Sequence, residues 1–416
     1  MQRRTTGQNE SKSPNGILVY ANKVIPCGAP GQPTCSSARD RNLELWYVRI
    51  RSGHPLKPVR LTSNSNGIPD DPTCRDSDDD IFLAPVKPGP KTGPGVLLMN
   101  RLDGDDDIYF VALDKPTPLN LTDNHVDDAF VDLSKDGSVL YFANRSDGDA
   151  DLYATKVDGS VKPYKVISTT SDERFLKVAG GYAFYSLPGP DGREALFGRR
   201  LDGGPSSRFS PRGSDFLDLG AVIPNIGKVI FTIRTGSKTS IVSAGLEDPS
   251  QFDDLSGPRD SAMFRLCSLD GKYMVFTAND RPLAGGGAGD VEIYTVPVKG
   301  KAKPKLLTAF ENESYFLPKF FTRDGKAVLY ESPVDGDLDI YELPLDGGPP
   351  HNLTANHPGP DKLLGLAGDG LLVARPDIND GVDDEIFYLE PQGKVVELTN
   401  NQVQDTFCAF FPENSK

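Results

Sequence analysis

Residues 406–411 read TFCAFF, and this short apolar stretch decides how the rest of the chain is read. Its counterparts are AFVDLS at 129–134, RFLKVA at 174–179, MFRLCS at 263–268 and KLLGLA at 362–367, and each of those opens a repeat. No second segment of that repeat follows residue 411, but a matching one, ILVYAN, stands at residues 17–22. The last segment is therefore expected to lie beside the first, so that one repeat is assembled from both ends of the chain.

Working outward from ILVYAN, the same segment returns as VLLMNR at 96, VLYFAN at 139, YAFYSL at 182, VIFTIR at 229, YMVFTA at 273, AVLYES at 327 and LLVARP at 371. Most intervals are roughly 43–54 residues, the spacing of propeller blades. A third segment recurs as LELWYV, DIYFVA, DLYATK, EALFGR, SIVSAG, EIYTVP, DIYELP and EIFYLE. The fourth is short and often ends in Leu-Thr, at Leu61-Thr62, Leu121-Thr122, Leu307-Thr308, Leu353-Thr354 and Leu398-Thr399. The runs are β-branched or aromatic and bounded by Gly, Pro, Asn and Asp, which marks strands. No run has helical periodicity. The pattern predicts an all-β, eight-bladed β-propeller of four-stranded antiparallel blades, closed into a ring by the C-terminal strand pairing with the N-terminal blade. Blades four and five rest on YAFYSL/EALFGR and VIFTIR/SIVSAG alone.

The repeat overrides the two or three domains that length alone would suggest. Residues 1–13 read as a disordered leader and residues 14–416 as one propeller domain. No run of 18 apolar residues predicts a transmembrane helix, and no apolar core of a signal peptide is visible. Lys and Arg number 45 against 59 Asp and Glu, a net charge of −14. That balance argues against nucleic acid or an anionic membrane as partner. Of five Cys, Cys27 and Cys35 flank the Gly/Pro-rich insertion CGAPGQPTC. Closing such a loop is a disulfide's task and needs an oxidising compartment, so a periplasmic or extracellular monomer is expected. Cys267 and Cys408 fall at equivalent first-strand positions and read as small buried apolar groups. Cys74 has no evident mate.

Three stretches carry the repeat most clearly: VLLMNRLDGDDDIYFVALDKPTPLNLT from Val96, VLYFANRSDGDADLYATKVDG from Val139 and AVLYESPVDGDLDIYELPLDGGPPHNLT from Ala327. Their Asp-rich turn, the Asp-Ile/Leu-Tyr that follows and the terminal Leu-Thr resemble the β-propeller repeat of TolB and its relatives. The resemblance implies the fold over nearly the whole chain, and it implies an envelope protein that works by binding other proteins. TolB proper carries an α/β domain before six blades; this sequence shows no such domain and eight repeats. Related repeats also form the propeller of dipeptidyl-peptidase-like enzymes, whose chemistry lies in an α/β-hydrolase domain. No GxSxG elbow is present here.

The turns Asp103–Asp105–Asp107, Asp147–Asp149–Asp151 and Asp335–Asp337–Asp339 cluster carboxylates on short Gly-containing loops and are candidate Ca²⁺ ligands. The plainer reading is that these Asp side chains accept backbone N–H bonds and fix hairpins. No other cofactor is indicated. His125 and His357 lie on connections between blades, with Asp127, Asp128 and Asp361 nearby, and read as solvated loop residues. In a four-stranded antiparallel blade the loops between strands two and three and those between blades leave on the same side. That side is rich in carboxylates and could surround the channel mouth. Asp127, Asp128, Arg174, Asp215, Arg259, Asp260, Glu313, Tyr315 and Asp361 are its candidate ligand-binding residues. The reading favoured is a non-enzymatic binding scaffold for a protein, peptide or glycan. The alternatives are a carbohydrate-active hydrolase or lyase using carboxylates at that mouth, and a sensor module of a larger envelope protein.

Overall fold

A computed structural model describes residues 15–24, 42–51, 54–62, 81–89, 92–101, 104–281, 290–308, 317–376, 383–401 and 405–412. The chain is all-β and of the β-propeller class, with eight antiparallel sheets of four strand positions each. Among the described residues the only helical element is one 3₁₀ turn, Pro224–Ile226. The chain divides into two compact bodies, residues 1–84 with 357–416, and residues 85–356.

In the first body, blade 1 is built from both ends of the sequence. Asp405–Pro412 pairs with Gly16–Val24, which pairs with Asn42–Arg51. The fourth position is split between His54–Pro55 and Val59–Arg60. Ile17 faces Phe411 and Ala21 faces Thr406, as the TFCAFF and ILVYAN segments led one to expect. The register slips by one residue opposite Val19/Tyr20, leaving Cys408 as the extra residue of a β-bulge. Blade 8 comprises Lys362–Ala367, Gly370–Pro376, Asp384–Leu389 and Val395–Glu397. Leu18, Tyr20, Val48 and Ile50 of blade 1 interlock with Leu372, Ile386, Tyr388 and Leu398 of blade 8 in one buried cluster.

The second body carries the other blades, except that Ile81–Ala84 at the start of blade 2 fall in the first. Blade 2 is Ile81–Val86, Gly95–Asn100, Asp107–Ala112 and Lys115–Asn120. Blade 3 is Ala129–Leu133, Val139–Asn144, Asp151–Lys156 and Tyr164–Ile167. Blades 4 and 5, the degenerate copies, are complete: Arg174–Ala179 to Ser207–Arg208, and Asp215–Ile223 to Phe252–Asp254. Blade 6 runs from Ala262–Cys267 through Tyr273–Arg281 and Asp290–Pro297 to Lys305–Leu306. Blade 7 comprises Pro318–Phe321, Ala327–Ser332, Asp339–Pro344 and His351–Asn352.

Alternation explains why these runs become strands. In Val139–Asn144, Leu140, Phe142 and Asn144 are buried while their neighbours are half-buried. The cores are shared between blades rather than contained in them. Phe184 and Phe209 of blade 4 pack with Phe216 and Phe231 of blade 5, and Val275 and Ile293 of blade 6 pack with Val328 and Tyr330 of blade 7. A blade taken alone would expose one side of its apolar surface, at about 2–3 kcal/mol for each large side chain. The first strands of blades 3 to 8, like that of blade 1, carry a one-residue register slip against the second, and that of blade 5 carries two. A bulge at that place bends the strand and raises its twist. In blades 3, 6 and 7 the turn after the first strand is fixed by Ser/Thr-x-Asp-Gly. In blade 6, Ser268 Oγ and the Lys272 N–H both donate to Asp270, and Gly271 takes φ +71°.

Candidate functional site

The Leu-Thr ending has a structural task that the sequence pattern alone does not disclose. In blade 7 the buried Thr354 hydroxyl accepts the Ile340 N–H at 3.0 Å and donates to Asp339 at 2.7 Å. The Ile340 carbonyl accepts from the Leu353 N–H. The Ile340 N–H and C=O and the Asp339 carboxylate are thereby all bonded, as burial demands. Thr122 clamps Ile108 and Asp107 in the same way, and Thr308 clamps Ile293 and Glu292. Thr62 and Thr399 accept from Leu45 and Ile386. In blades 4 and 5 a serine replaces the threonine, with Ser210 accepting from Leu196 and Ser256 from Ile241. The last Asp of the Asp-rich turns in blades 2 and 7, Asp107 and Asp339, is therefore part of a hairpin clamp.

The rest of each turn follows from what stands opposite it. Asp335 accepts from the Tyr341 hydroxyl and the Asn352 amide, which hold its carboxyl below the usual range. Asn352 also bridges to Asp339 at 2.8 Å, as Asn120 does to Asp107 at 2.7 Å. In blade 3 a lysine takes the place of this asparagine. The Lys165 ammonium donates to both Asp147 and Asp151, lowering the Asp147 carboxyl. The carboxylates of Asp147, Asp149 and Asp151 approach within 4.8 Å of one another, with that ammonium as an internal cation. Asp105 and Asp337 are half-buried on the equivalent turns of blades 2 and 7. Asp103 lies outside the described residues, as do Cys27, Cys35, Glu313 and Tyr315.

The candidate acids between blades share a second pattern. Asp127 accepts the Asp106 N–H at 3.1 Å and pairs with Arg101 at 3.1 Å. Asp172 accepts the Ala150 N–H and pairs with Arg145 at 2.8 Å. Asp215 accepts the Glu194 N–H and pairs with Arg234 at 2.7 Å. Asp260 pairs with Lys238. Asp127, Asp172 and Asp215 thus each tie down the turn before a third strand, and a cation neutralises all four acids. The result in the second body is a ridge of exposed, alternating charges on the side from which the Asp-rich turns emerge. Arg259 sits 4.2 Å over the Tyr294 ring, a cation–π contact, and its Nε donates to the Ser256 carbonyl. Arg174 is exposed, with its Nε donating to Ser186.

Asp128 and Asp361 are placed otherwise. Asp128 is buried and held by Asn124 and Asn144, and burial raises its carboxyl to about 6. Asp361 is fully buried against the Arg375 guanidinium, with His357 Nδ1 at 3.6 Å. His125 is exposed in the second body. Cys267 and Cys408 are free and half-buried, and burial pushes their thiols to about 11 and about 12.

Asp405 carries the largest consequence among the buried acids. It opens the last strand and is gripped through both oxygens by Asn401. Burial pushes its carboxyl to about 7, and the neighbouring Glu385 adds to the rise. Burial beside Asp405 and Glu385 also raises the Tyr20 hydroxyl. A raised acid makes the folded state hold its proton more tightly than the unfolded chain does. Its stability contribution is therefore full below the unfolded value of about 4 and is lost as pH rises toward about 7. Asp128 acts in the same direction. Urea titrations are expected to show stability falling between about pH 4 and 7. Asp405→Asn, which mimics the protonated acid, should flatten that slope and leave the protein more stable at about pH 8; an unaltered slope would contradict this.

No protein-family model and no curated protein match this chain. Solved structures do. A prolyl endopeptidase structure superposes with a TM-score of 0.52 at 14% identity, over 79% of this chain and 50% of that one. A puromycin hydrolase gives 0.43 at 15% identity, over 68% and 48% of the two chains. TolB from Acinetobacter baumannii gives 0.35 at 16% identity, over 80% and 82%. The chain spans about half the length of the two hydrolase structures it matches. At these identities the likeness to the prolyl endopeptidase establishes the fold alone. Among the described residues no helix is long and apolar enough to cross a membrane.

Proposed function

We propose that this propeller is a non-enzymatic binding scaffold of the TolB type, exported to the periplasm or the cell exterior. It recognises a protein or peptide through the loop side that carries the inter-blade acids. The observation that supports this reading is the ridge of Asp127–Arg101, Asp172–Arg145 and Lys238–Asp260 pairs. Their charges are exposed, and those of Asp127 and Asp172 are held in register by backbone bonds to their turns. Fixed, alternating charges give specificity and orientation to an encounter more than raw affinity. Exposed pairs contribute only about 0–1 kcal/mol each to stability, so they can be altered without unfolding the blades.

The test is capture from cell-envelope extract with wild type and with a variant carrying Asp127→Lys, Asp172→Lys and Asp260→Lys. A partner retained by wild type and lost by the variant, at equal melting temperature, is expected. An empty capture from folded wild-type bait, together with turnover in a glycan-hydrolysis screen, would replace the scaffold reading with an enzymatic one.

A further inference from the structure

Residues 299–305 read KGKAKPK, placing Lys299, Lys301, Lys303 and Lys305 at alternate positions in a chain whose net charge is −14. The segment joins the third and fourth strands of blade 6, so by antiparallel alternation it leaves on the side opposite the acidic ridge. Lys305 is engaged, its ammonium donating to the carbonyls of Leu345 and Asp346. Lys299, Lys301 and Lys303 are exposed, and among the described residues they have no ion pair. The nearby acids do have partners. Asp253 pairs with Lys228 at 2.8 Å, Asp254 accepts the Gly257 N–H at 2.9 Å, and Asp270 pairs with Lys272 at 2.8 Å. Among the described residues, three ammonium groups thus face one nearby carboxylate, Asp254, that no cation pairs, so the local balance stays positive.

Two hollows flank the lysine loop. One, of ≈ 340 Å³, is lined by Phe252, Leu255, Lys301, Lys303 and Pro304, with Asp253 and Asp254 also on its wall. The other, of ≈ 250 Å³, is lined by Ile226, Tyr273, Pro297 and Lys299 among others. Phe252 and Tyr273 are 38% and 39% exposed, so each hollow offers an aromatic face to solvent. Apolar depressions separated by unpaired ammonium groups complement a ligand that alternates apolar and carboxylate groups.

We propose that the lysine loop and its two hollows form a docking surface for an acidic polypeptide segment, with its carboxylates on Lys299, Lys301 and Lys303 and its apolar side chains in the hollows. A nucleic acid or an anionic bilayer fits less well, because neither interleaves apolar side chains with its charges to fill the two hollows. This surface is separate from the acidic ridge and stands whether or not the ridge binds a partner.

The probe is a fluorescein-labelled peptide of alternating Glu and Phe, with a Lys/Phe peptide as its counterpart, read by fluorescence anisotropy on the full chain. Saturable binding of the Glu/Phe peptide alone is expected, weakening as salt is added. Lys299→Glu with Lys301→Glu and Lys303→Glu should weaken it about tenfold or more at unchanged melting temperature. Phe252→Ala should weaken it with the charges intact. The Asp127→Lys, Asp172→Lys, Asp260→Lys variant should bind it no less tightly than wild type. No saturable binding, equal affinity in the triple-Glu variant, or equal binding of oligo-dT or phosphatidylserine vesicles would overturn the proposal. So would self-association abolished by the same lysine substitutions, since the occupant would then be a second copy of this chain.

Discussion

Deleting residues 405–416 is expected to abolish the cooperative melting of the body built from residues 1–84 and 357–416. The lost strand pairs along Gly16–Val24 and carries Ala409 and Phe411, both buried, with Phe407 and Phe410 packed against the cluster shared by blades 1 and 8. Removing a buried Phe typically costs about 3–5 kcal/mol. That loss at Phe411, the two half-buried rings and the strand's backbone bonds together rival the about 5–15 kcal/mol that holds a typical domain folded. Gly16 sharpens the point. A Cβ there would come within 2.4 Å of Phe410, so the second strand is shaped around the ring that the deletion removes. Scanning calorimetry is the measurement, and addition of the 405–416 peptide in trans should restore part of the transition. A melting curve unchanged by the deletion would show that the last strand does not hold blade 1 together.

Thr354→Val should cost about 2–4 kcal/mol although it barely changes volume. Thr354 is buried, and its hydroxyl is both acceptor for Ile340 and donor to Asp339. Valine leaves the Ile340 N–H without its acceptor and takes one hydrogen bond from a buried carboxylate. Asn352 keeps its own bond to Asp339, so the carboxylate does not lose every partner. Thr354→Ser keeps the hydroxyl and should lose far less. Urea midpoints at neutral pH distinguish the two, and equal midpoints would mean that the repeated threonine is merely a well-packed methyl.

The strands and their pairing were legible because they rest on patterns a linear reading sees. Alternation in VLYFAN, the turn in KDGS and the orphaned TFCAFF each constrain a neighbour in the same sheet. The degenerate blades 4 and 5 were legible by the same signals, even though Phe209-Ser210 and Leu255-Ser256 stand where Leu-Thr stands elsewhere. That exchange keeps the hydroxyl, which is the part the clamp needs. The roles of the acids were less legible. A count of carboxylates cannot separate Asp127, exposed and paired with Arg101, from its neighbour Asp128, buried among asparagines. The difference lies in which side of the chain faces the next blade, and adjacent residues in a connection need not share it. Lys165 illustrates the same limit, since nothing in the sequence around it announces that its ammonium reaches back to Asp147 and Asp151. The lysine run at 299–305 was present in the sequence, but its meaning depends on the hollows beside it.

The pairing of Gly16 with Pro412 also fixes how this molecule would answer a mechanical load. The two strands are antiparallel, so the first residue of one and the last of the other meet at the same edge of the sheet. Tension applied between the two ends would peel these strands apart one hydrogen bond at a time, as a zip opens, rather than loading all the bonds in shear together. Blade 1 is thus the weak link under an end-to-end pull, and it would part at low force while the body of residues 85–356 still held its shape.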